Sequence, residues 1–235
     1  INRVLTDRLS TLLFCPSQKA INSLKKEGFP YPTSSKYPQQ IEDVGDIMYD
    51  MVLDFSDNFT RSKLEKTIPN NWNYYILCTI HRQENINNAI KLKNFFKSLI
   101  RISSKTPVII PLHPGTQKKM DGIQNLFENE NIHFCEPIGY VTMQSLIKFA
   151  KIIITDSGGL QKEAFYHRVP CVTIRSETEW PETIELGWNR LADPCDINFP
   201  DLIENLQKPT KTPDINPYGS GQTTEKILNL LECYK

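Results

Sequence analysis

The chain has 235 residues, enough for one large or two small hydrophobic cores. Its 27 basic and 27 acidic residues cancel, which argues against non-specific binding to nucleic acid or to a membrane surface. No apolar run approaches the roughly 18 residues needed to span a bilayer, and the opening segment does not read as a signal peptide.

Taken in order, Asn2 to Ser10 is expected to be helical and Leu12 to Cys15 a short apolar strand. The chain therefore starts at Ile1 inside an expected helix without an initiator methionine, and it reads as a fragment or a processed product. Ser17 is placed to cap a helix that Gly28 ends. Phe29 to Gln40, rich in proline, serine and threonine, reads as a loop or linker, and a helix is expected over Asp46 to Phe59 after a Val44-Gly45 turn. From Tyr74 strands and helices alternate. The expected pairs are Tyr74–Thr79 with Ile86–Ser103, Val108–Leu112 with Thr116–Phe127, and Ile132–Cys135 with Met143–Ala150. Lys151–Thr155 with Gly158–Tyr166 and Cys171–Ile174 with Pro181–Leu186 follow. Beyond Leu202–Leu206 comes an irregular proline-rich stretch and a closing helix over Gly221–Tyr234. Such alternation predicts an α/β fold, a Rossmann-like parallel sheet with helices on both faces.

None of the six cysteines forms a CxxC pair, and four of them (Cys15, Cys78, Cys135, Cys171) sit in or beside expected strands, where a thiol serves as a small buried apolar group. No metal site or disulfide framework is expected, and the expected compartment is reducing cytoplasm.

The most informative stretch is Lys151 to Ala164. Three consecutive isoleucines fit a strand buried on both faces, and Thr155-Asp156-Ser157-Gly158-Gly159 reads as a tight turn into a helix. Ser157 is a good N-cap, and Gly158 and Gly159 leave room for a ligand at first-turn amides that lack intrahelical partners. A phosphate group suits such a junction, and Glu163 stands where it can reach a ribose beyond. An ordinary helix start is the alternative. In parallel sheets ligands bind at the carboxyl ends of the strands, so the rim residues to weigh are His81-Arg82-Gln83-Glu84, His113, Tyr140, Ser157-Gly158-Gly159 and Arg175.

Several of these segments resemble the non-hydrolysing UDP-N-acetylglucosamine 2-epimerase family. The matching stretches are Asn2 to Asp7, Thr79-Ile80-His81-Arg82-Gln83-Glu84-Asn85, Pro111-Leu112-His113-Pro114 and Thr155 to Ala164. Arg175, Thr178-Glu179-Trp180-Pro181-Glu182 and Asn216-Pro217-Tyr218-Gly219 extend the match along almost the entire chain. The resemblance implies a GT-B-like two-domain enzyme with two Rossmann-like halves, of which this chain carries the C-terminal, nucleotide-binding half. Residues 1–42 would be a remnant of the N-terminal half, 43–220 the UDP-binding domain, and 221–235 a helix packing back toward the N-terminal domain. The family's acidic residues for proton transfer would lie upstream of Ile1. The implied reaction removes the C2 proton of the sugar while UDP leaves C1, then re-adds UDP to a glycal-type intermediate with C2 inverted; no cofactor is required.

The resemblance casts His81 and Arg3 in catalytic roles. It places His113, Ser157, Gly158, Gly159, Glu163, Arg175 and Tyr140 around UDP, with Tyr140 flanking the uracil. Arg82 and Glu84 would form a local ion pair, line the nucleotide site or border an allosteric pocket. For Arg175 a salt bridge with Glu177 or Glu179 is the competing role. UDP-N-acetylglucosamine is the expected substrate, with UDP-2,3-diacetamido-2,3-dideoxyglucuronate the alternative suggested by segments such as Thr178-Glu179-Trp180. A GT-B glycosyltransferase and a catalytically incomplete UDP-binding fragment are the rival functions. The expected partners are the UDP-sugar and, for a full-length protein, a second copy in a homodimer; the product would feed surface polysaccharide synthesis.

Overall fold

The computed structural model describes residues 2–32, 37–112, 131–210 and 216–233. Internal contacts divide the chain into two units, the first of residues 1–55 together with 213–235 and the second of residues 56–212.

The first unit contains α1 (Asn2–Leu9), β1 (Leu12–Cys15), α2 (Gln18–Lys26), β2 (Gln40–Asp43) and α3 (Ile47–Asp54). Ser17 caps α2 through the Ala20 amide, and β1 pairs in parallel with β2. A strand over Gln40–Asp43 is absent from the sequence-based expectation. Its residues are mostly polar and none is fully buried, so no apolar run marks it. The expected helix from Asp46 is shorter than the pattern suggests. Asp46 is its cap rather than its first turn, and beyond Asp54 the chain passes into 3-10 turns at Ser56–Asn58 and Arg61–Leu64. Gly45 adopts φ +88°, and a Cβ there would meet Thr223 Oγ1 at 2.9 Å and the Tyr218 carbonyl at 3.0 Å. Only glycine fits that approach, and the Asp46 amide donates to the Tyr218 carbonyl at 2.9 Å beside it.

The second unit is a six-stranded, all-parallel sheet built from β3 (Ile76–Thr79), β4 (Val108–Pro111), β5 (Ile132–Cys135), β6 (Ile152–Thr155), β7 (Cys171–Thr173) and β8 (Asn189–Leu191), in the order β5-β4-β3-β6-β7-β8. The α/β class and parallel sheet expected from the alternation are what the structure has. The three-residue β8 was not foreseen; it sits at the sheet edge, is partly exposed and carries one apolar side chain. The isoleucine run of β6 is explained by its two covered faces. Ile152 and Ile154 join Phe95, Phe96 and Leu99 of α5 (Ala89–Ser103), while Ile153 joins Leu146, Leu160 and Ala164 on the other side. Each such side chain contributes about 1.5–3 kcal/mol on leaving water. The helix expected over Ile86–Ser103 is α5, which starts three residues later because Asn88 caps it through the Lys91 amide at 3.0 Å; a separate short helix, α4 (Gln83–Ile86), precedes it and ends at Asn87. After β5 come α6 (Tyr140–Phe149), and after β6 α7 (Gly158–Tyr166). α8 (Pro181–Glu185) and α9 (Phe199–Glu204) follow in this unit, and α10 (Thr223–Glu232) packs on α3 in the first. The helix expected near Thr116–Phe127 lies outside the described residues.

Candidate functional site

The strand order places the first strand of the sheet, β3, beside the fourth, β6, and the connections on either side of this seam run in opposite directions. A crevice opens at the carboxyl ends of such a pair. Here the two strand ends are locked by the hydroxyls of Thr79 and Thr155, 2.6 Å apart, and Thr155 Oγ1 also accepts from the Ser157 amide at 2.9 Å. A cavity of about 220 Å³ lies at this edge, with Thr79, His81 and Ser157 as its polar side chains and Ile80, Leu112, Ile138, Met143 and Leu160 among its apolar walls.

Asp156, between the buried strand and the α7 cap, is wholly buried. Its Oδ2 accepts from the Arg82 amide and from Asn85 Nδ2, each at 2.9 Å, and both carboxylate oxygens lie 3.1 Å from the His81 amide nitrogen. His81 Nδ1 is 3.1 Å from Oδ1. Asn85, itself buried, also donates to the Ile174 carbonyl at 3.3 Å, which ties the loop after β3 to the end of β7. Asp156 is missing from the sequence-based candidates, which treated it as turn residue only. A charged residue directly after three buried isoleucines was the available signal, because such a carboxylate must find donors.

Ser157 caps α7, accepting from the Leu160 amide at 3.4 Å, and Gly158 and Gly159 are the first two residues of the helix. Glu163, one turn further, is buried, and burial pushes its carboxyl pKa up against the opposing Gln144 amide and Lys162 charge. Tyr140 opens α6, and its phenol is raised by burial and by the charge of Glu163, so these two candidates face the same neighbourhood. Behind them His167 meets Gln144 Oε1 at 2.8 Å, and burial lowers its pKa to about 4.

Arg175 follows β7 and makes a bidentate pair with Glu179 at 2.7 and 2.9 Å. The paired carboxylate raises the arginine pKa and is itself held below the usual range, first by the Arg175 hydrogen bond. Arg82 reaches Glu179 at 3.6 Å, so its ion-pair partner is this residue and not Glu84. Glu84 lines a separate polar hollow with Asn85, Lys91 and Arg175. Trp180 donates its indole N–H to the Gly158 carbonyl at 2.8 Å, and the Lys162 ammonium sits 4.0 Å over its ring, so Trp180 braces the start of α7. A Cβ on Gly158 would meet Glu179 at 3.4 Å and Trp180 at 3.9 Å, ordinary contacts that do not themselves demand glycine. Arg3 belongs to the first unit, where it pairs with Glu27 at 3.0 Å and Asp7 at 3.4 Å. His113 lies outside the described residues.

Among the described residues there is no cluster of three or more His, Cys, Asp or Glu side chains arranged to hold a metal, and no helix is long and apolar enough to cross a membrane.

The family profile described as UDP-N-acetylglucosamine 2-epimerase matches residues 1–232. The chain belongs to that family. It is 37% identical over 239 residues to a UDP-N-acetylglucosamine 2-epimerase homolog of Methanococcus maripaludis, covering 98% of this chain and 63% of the relative. Against the UDP-2,3-diacetamido-2,3-dideoxy-D-glucuronate 2-epimerase of Pseudomonas aeruginosa it is 35% identical, covering 98% and 62%. The crystal structure of Methanocaldococcus jannaschii UDP-GlcNAc 2-epimerase in complex with UDP-GlcNAc and UDP superposes with a TM-score of 0.83 at 33% identity, over 99% of this chain and 64% of that one. Structural neighbours such as this one and the UDP-GlcNAc 2-epimerase of Neisseria meningitidis are GT-B-like epimerases. The chain thus spans less than two thirds of the length of these relatives.

Proposed function

We propose that this chain is the UDP-binding part of an isomerase that interconverts UDP-N-acetylglucosamine and UDP-N-acetylmannosamine. The observation that carries the reading is the meeting, at the β3–β6 seam of a member of this family, of the Ser157–Gly159 helix start with a histidine backed by a buried carboxylate. In this reading the diphosphate sits against the first amides of α7, where the helix dipole and the unpaired N–H groups favour negative charge. Gly158 is the first residue of the helix and carries no side chain beside those amides. The local fold does not require it, which supports close approach of a ligand at that point.

Glu163 then meets the ribose, Tyr140 flanks the uracil, and Arg175 and His113 contact the nucleotide. His81 moves a proton or donates to the departing diphosphate, and Arg3 keeps the catalytic role that the family resemblance gives it. Elimination of UDP with loss of the C2 proton, followed by readdition to the other face, inverts C2. We assign the N-terminal residues to a remnant of the N-terminal half of a GT-B-like enzyme and the helix beyond residue 220 to a segment that returns toward it; the contacts set the boundary later than residue 42, grouping residues 1–55 with 213–235, and that helix packs on α3. Homodimer formation, a cytoplasmic location and supply of surface polysaccharide synthesis complete the proposal; the six free thiols fit a reducing compartment.

The test is to incubate the complete gene product with UDP-N-acetylglucosamine in D2O and to follow the sugar by proton NMR. Deuterium at C2 together with the manno epimer is expected. Absence of both would overturn this reading. A second substrate, the UDP-diacetamido-uronate, is favoured by the 35% identity to the Pseudomonas aeruginosa enzyme, and the same experiment with that sugar decides between them.

A further inference from the structure

We propose that Asp156 is a positioning residue: its buried carboxylate holds His81 as the Nδ1–H tautomer, so that the ring carries its lone pair on Nε2. The proposal rests on His81 acting in the site as described above, but the tautomer is a property of the protein alone.

The geometry around Asp156 is made of donors. Oδ2 faces the Arg82 amide, Asn85 Nδ2 and the His81 amide; Oδ1 faces the His81 amide and His81 Nδ1. A group surrounded this way must be an acceptor at both oxygens, and an ionised carboxylate is the acceptor-only side chain. At 3.1 Å from Oδ1, His81 Nδ1 is within donor reach of that carboxylate, and we assign the ring proton to it. The same contacts fix the ring's direction. The amides of His81 and Arg82 bind the carboxylate that faces the ring, so backbone and side chain of the loop after β3 are anchored to one group at the end of β6. Asn85 extends that anchor to β7 through the Ile174 carbonyl. His81 lines the cavity, and its side chain is 40% exposed while Asp156 is wholly covered. One end of the imidazole is thus buried against charge and the ring still reaches solvent. Protonation at Nε2 would give an imidazolium whose charge the carboxylate offsets, which is what a proton shuttle needs.

Asp156→Asn separates this role from a merely structural one. Its amide oxygen can take the Oδ2 position, where the Arg82 amide and Asn85 still donate. Its NH2 group then faces His81 Nδ1, which must accept, and the proton moves to Nε2. The ring keeps its place and loses the lone pair that points away from Asp156. In histidine labelled with 15N, long-range proton–nitrogen NMR reads which ring nitrogen is protonated, and His81→Gln identifies the signal. The expected result is Nδ1–H in the parent protein and Nε2–H in Asp156→Asn. UDP affinity should change less than about threefold, while epimerase turnover falls on the order of 10³–10⁴-fold, the scale of a tautomer reversal in a histidine–aspartate pair. The His167 resonance, buried against Gln144, reports whether the variant is folded. If it is not, the parent tautomer alone decides. Nε2–H in the parent, or the same tautomer in both proteins with turnover within tenfold, overturns the proposal. Nδ1–H in the parent and Nε2–H in Asp156→Asn, in a protein that epimerises neither substrate, would uphold the role of Asp156 and remove the proposed function instead.

Discussion

Two carboxylates flank the start of α7, and they are held in opposite ways. Asp156 is inside the protein and is met by backbone amides, an asparagine and a histidine. Glu179 leaves half of its side chain in water and is met by two guanidinium groups. A buried carboxylate surrounded by fixed donors cannot be removed cheaply, because each donor left behind loses both protein and water. A half-solvated one between two arginines can be replaced at lower cost, because water still reaches the carboxylate and screens the pair. The first arrangement suits a part that stays put during a reaction, and the second suits a counter-ion that yields to an incoming phosphate.

The comparison is broken most directly by Asp156→Ala. Leaving several buried donors unpaired is expected to cost about 3–5 kcal/mol of unfolding free energy, measured by urea denaturation; a loss below about 1 kcal/mol would place Asp156 with Glu179. His167 sharpens the same point, being largely covered with its ring against Gln144. Its pKa near 4, against about 6.5 unfolded, means that the unfolded chain takes up a proton as pH falls through that window while the folded protein does not. Stability is therefore expected to fall from pH 6.5 toward pH 4, by on the order of 3 kcal/mol from this group, and to be indifferent to it above pH 6.5. Denaturation at pH 7 and pH 4.5 checks this against His167→Gln, which should lose that part of the slope. Glu163, whose pKa is raised, acts in the opposite direction and is present in both proteins. Arg175→Ala should weaken UDP binding by about 1.5–3 kcal/mol in a calorimetric titration, the scale of a charge-assisted contact, and unchanged affinity would remove Arg175 from the site. Glu179→Gln is the mildest change. Stability should alter by less than about 1 kcal/mol, and UDP should bind a few-fold more tightly once the competing carboxylate is gone. Weaker binding would mean that Glu179 holds the arginines for the ligand rather than against it.

The sequence was legible where burial forces a pattern. β3, β4 and β6 are covered on both faces and so read as continuous apolar runs, and Ser157 and Ser17 announce the helices that they cap. β2 and β8 were not legible because they are short, edge-like and largely polar, and their assignment comes from pairing with a neighbour rather than from their own residues. Ser157, Gly158, Glu163 and Tyr140 were found as candidates because strand ends and helix starts can be located from one segment. Asp156 and the Arg82–Glu179 pair depend on residues 74 and 97 positions apart (156 − 82 and 179 − 82), a separation at which local pattern says nothing about partners.

The closing contacts of the first unit have a consequence for how the chain is made. Asp46 binds the Tyr218 carbonyl, and Asp50 accepts from the Thr224 amide across 174 residues. The ribosome emits about 5–20 residues per second, so α3 waits roughly 10–35 s for its partner helix. During that interval the six-stranded sheet, whose strands all lie between the two halves of the first unit, has been delivered entire and is able to fold. Within these 235 residues, the unit that begins first is thus completed last.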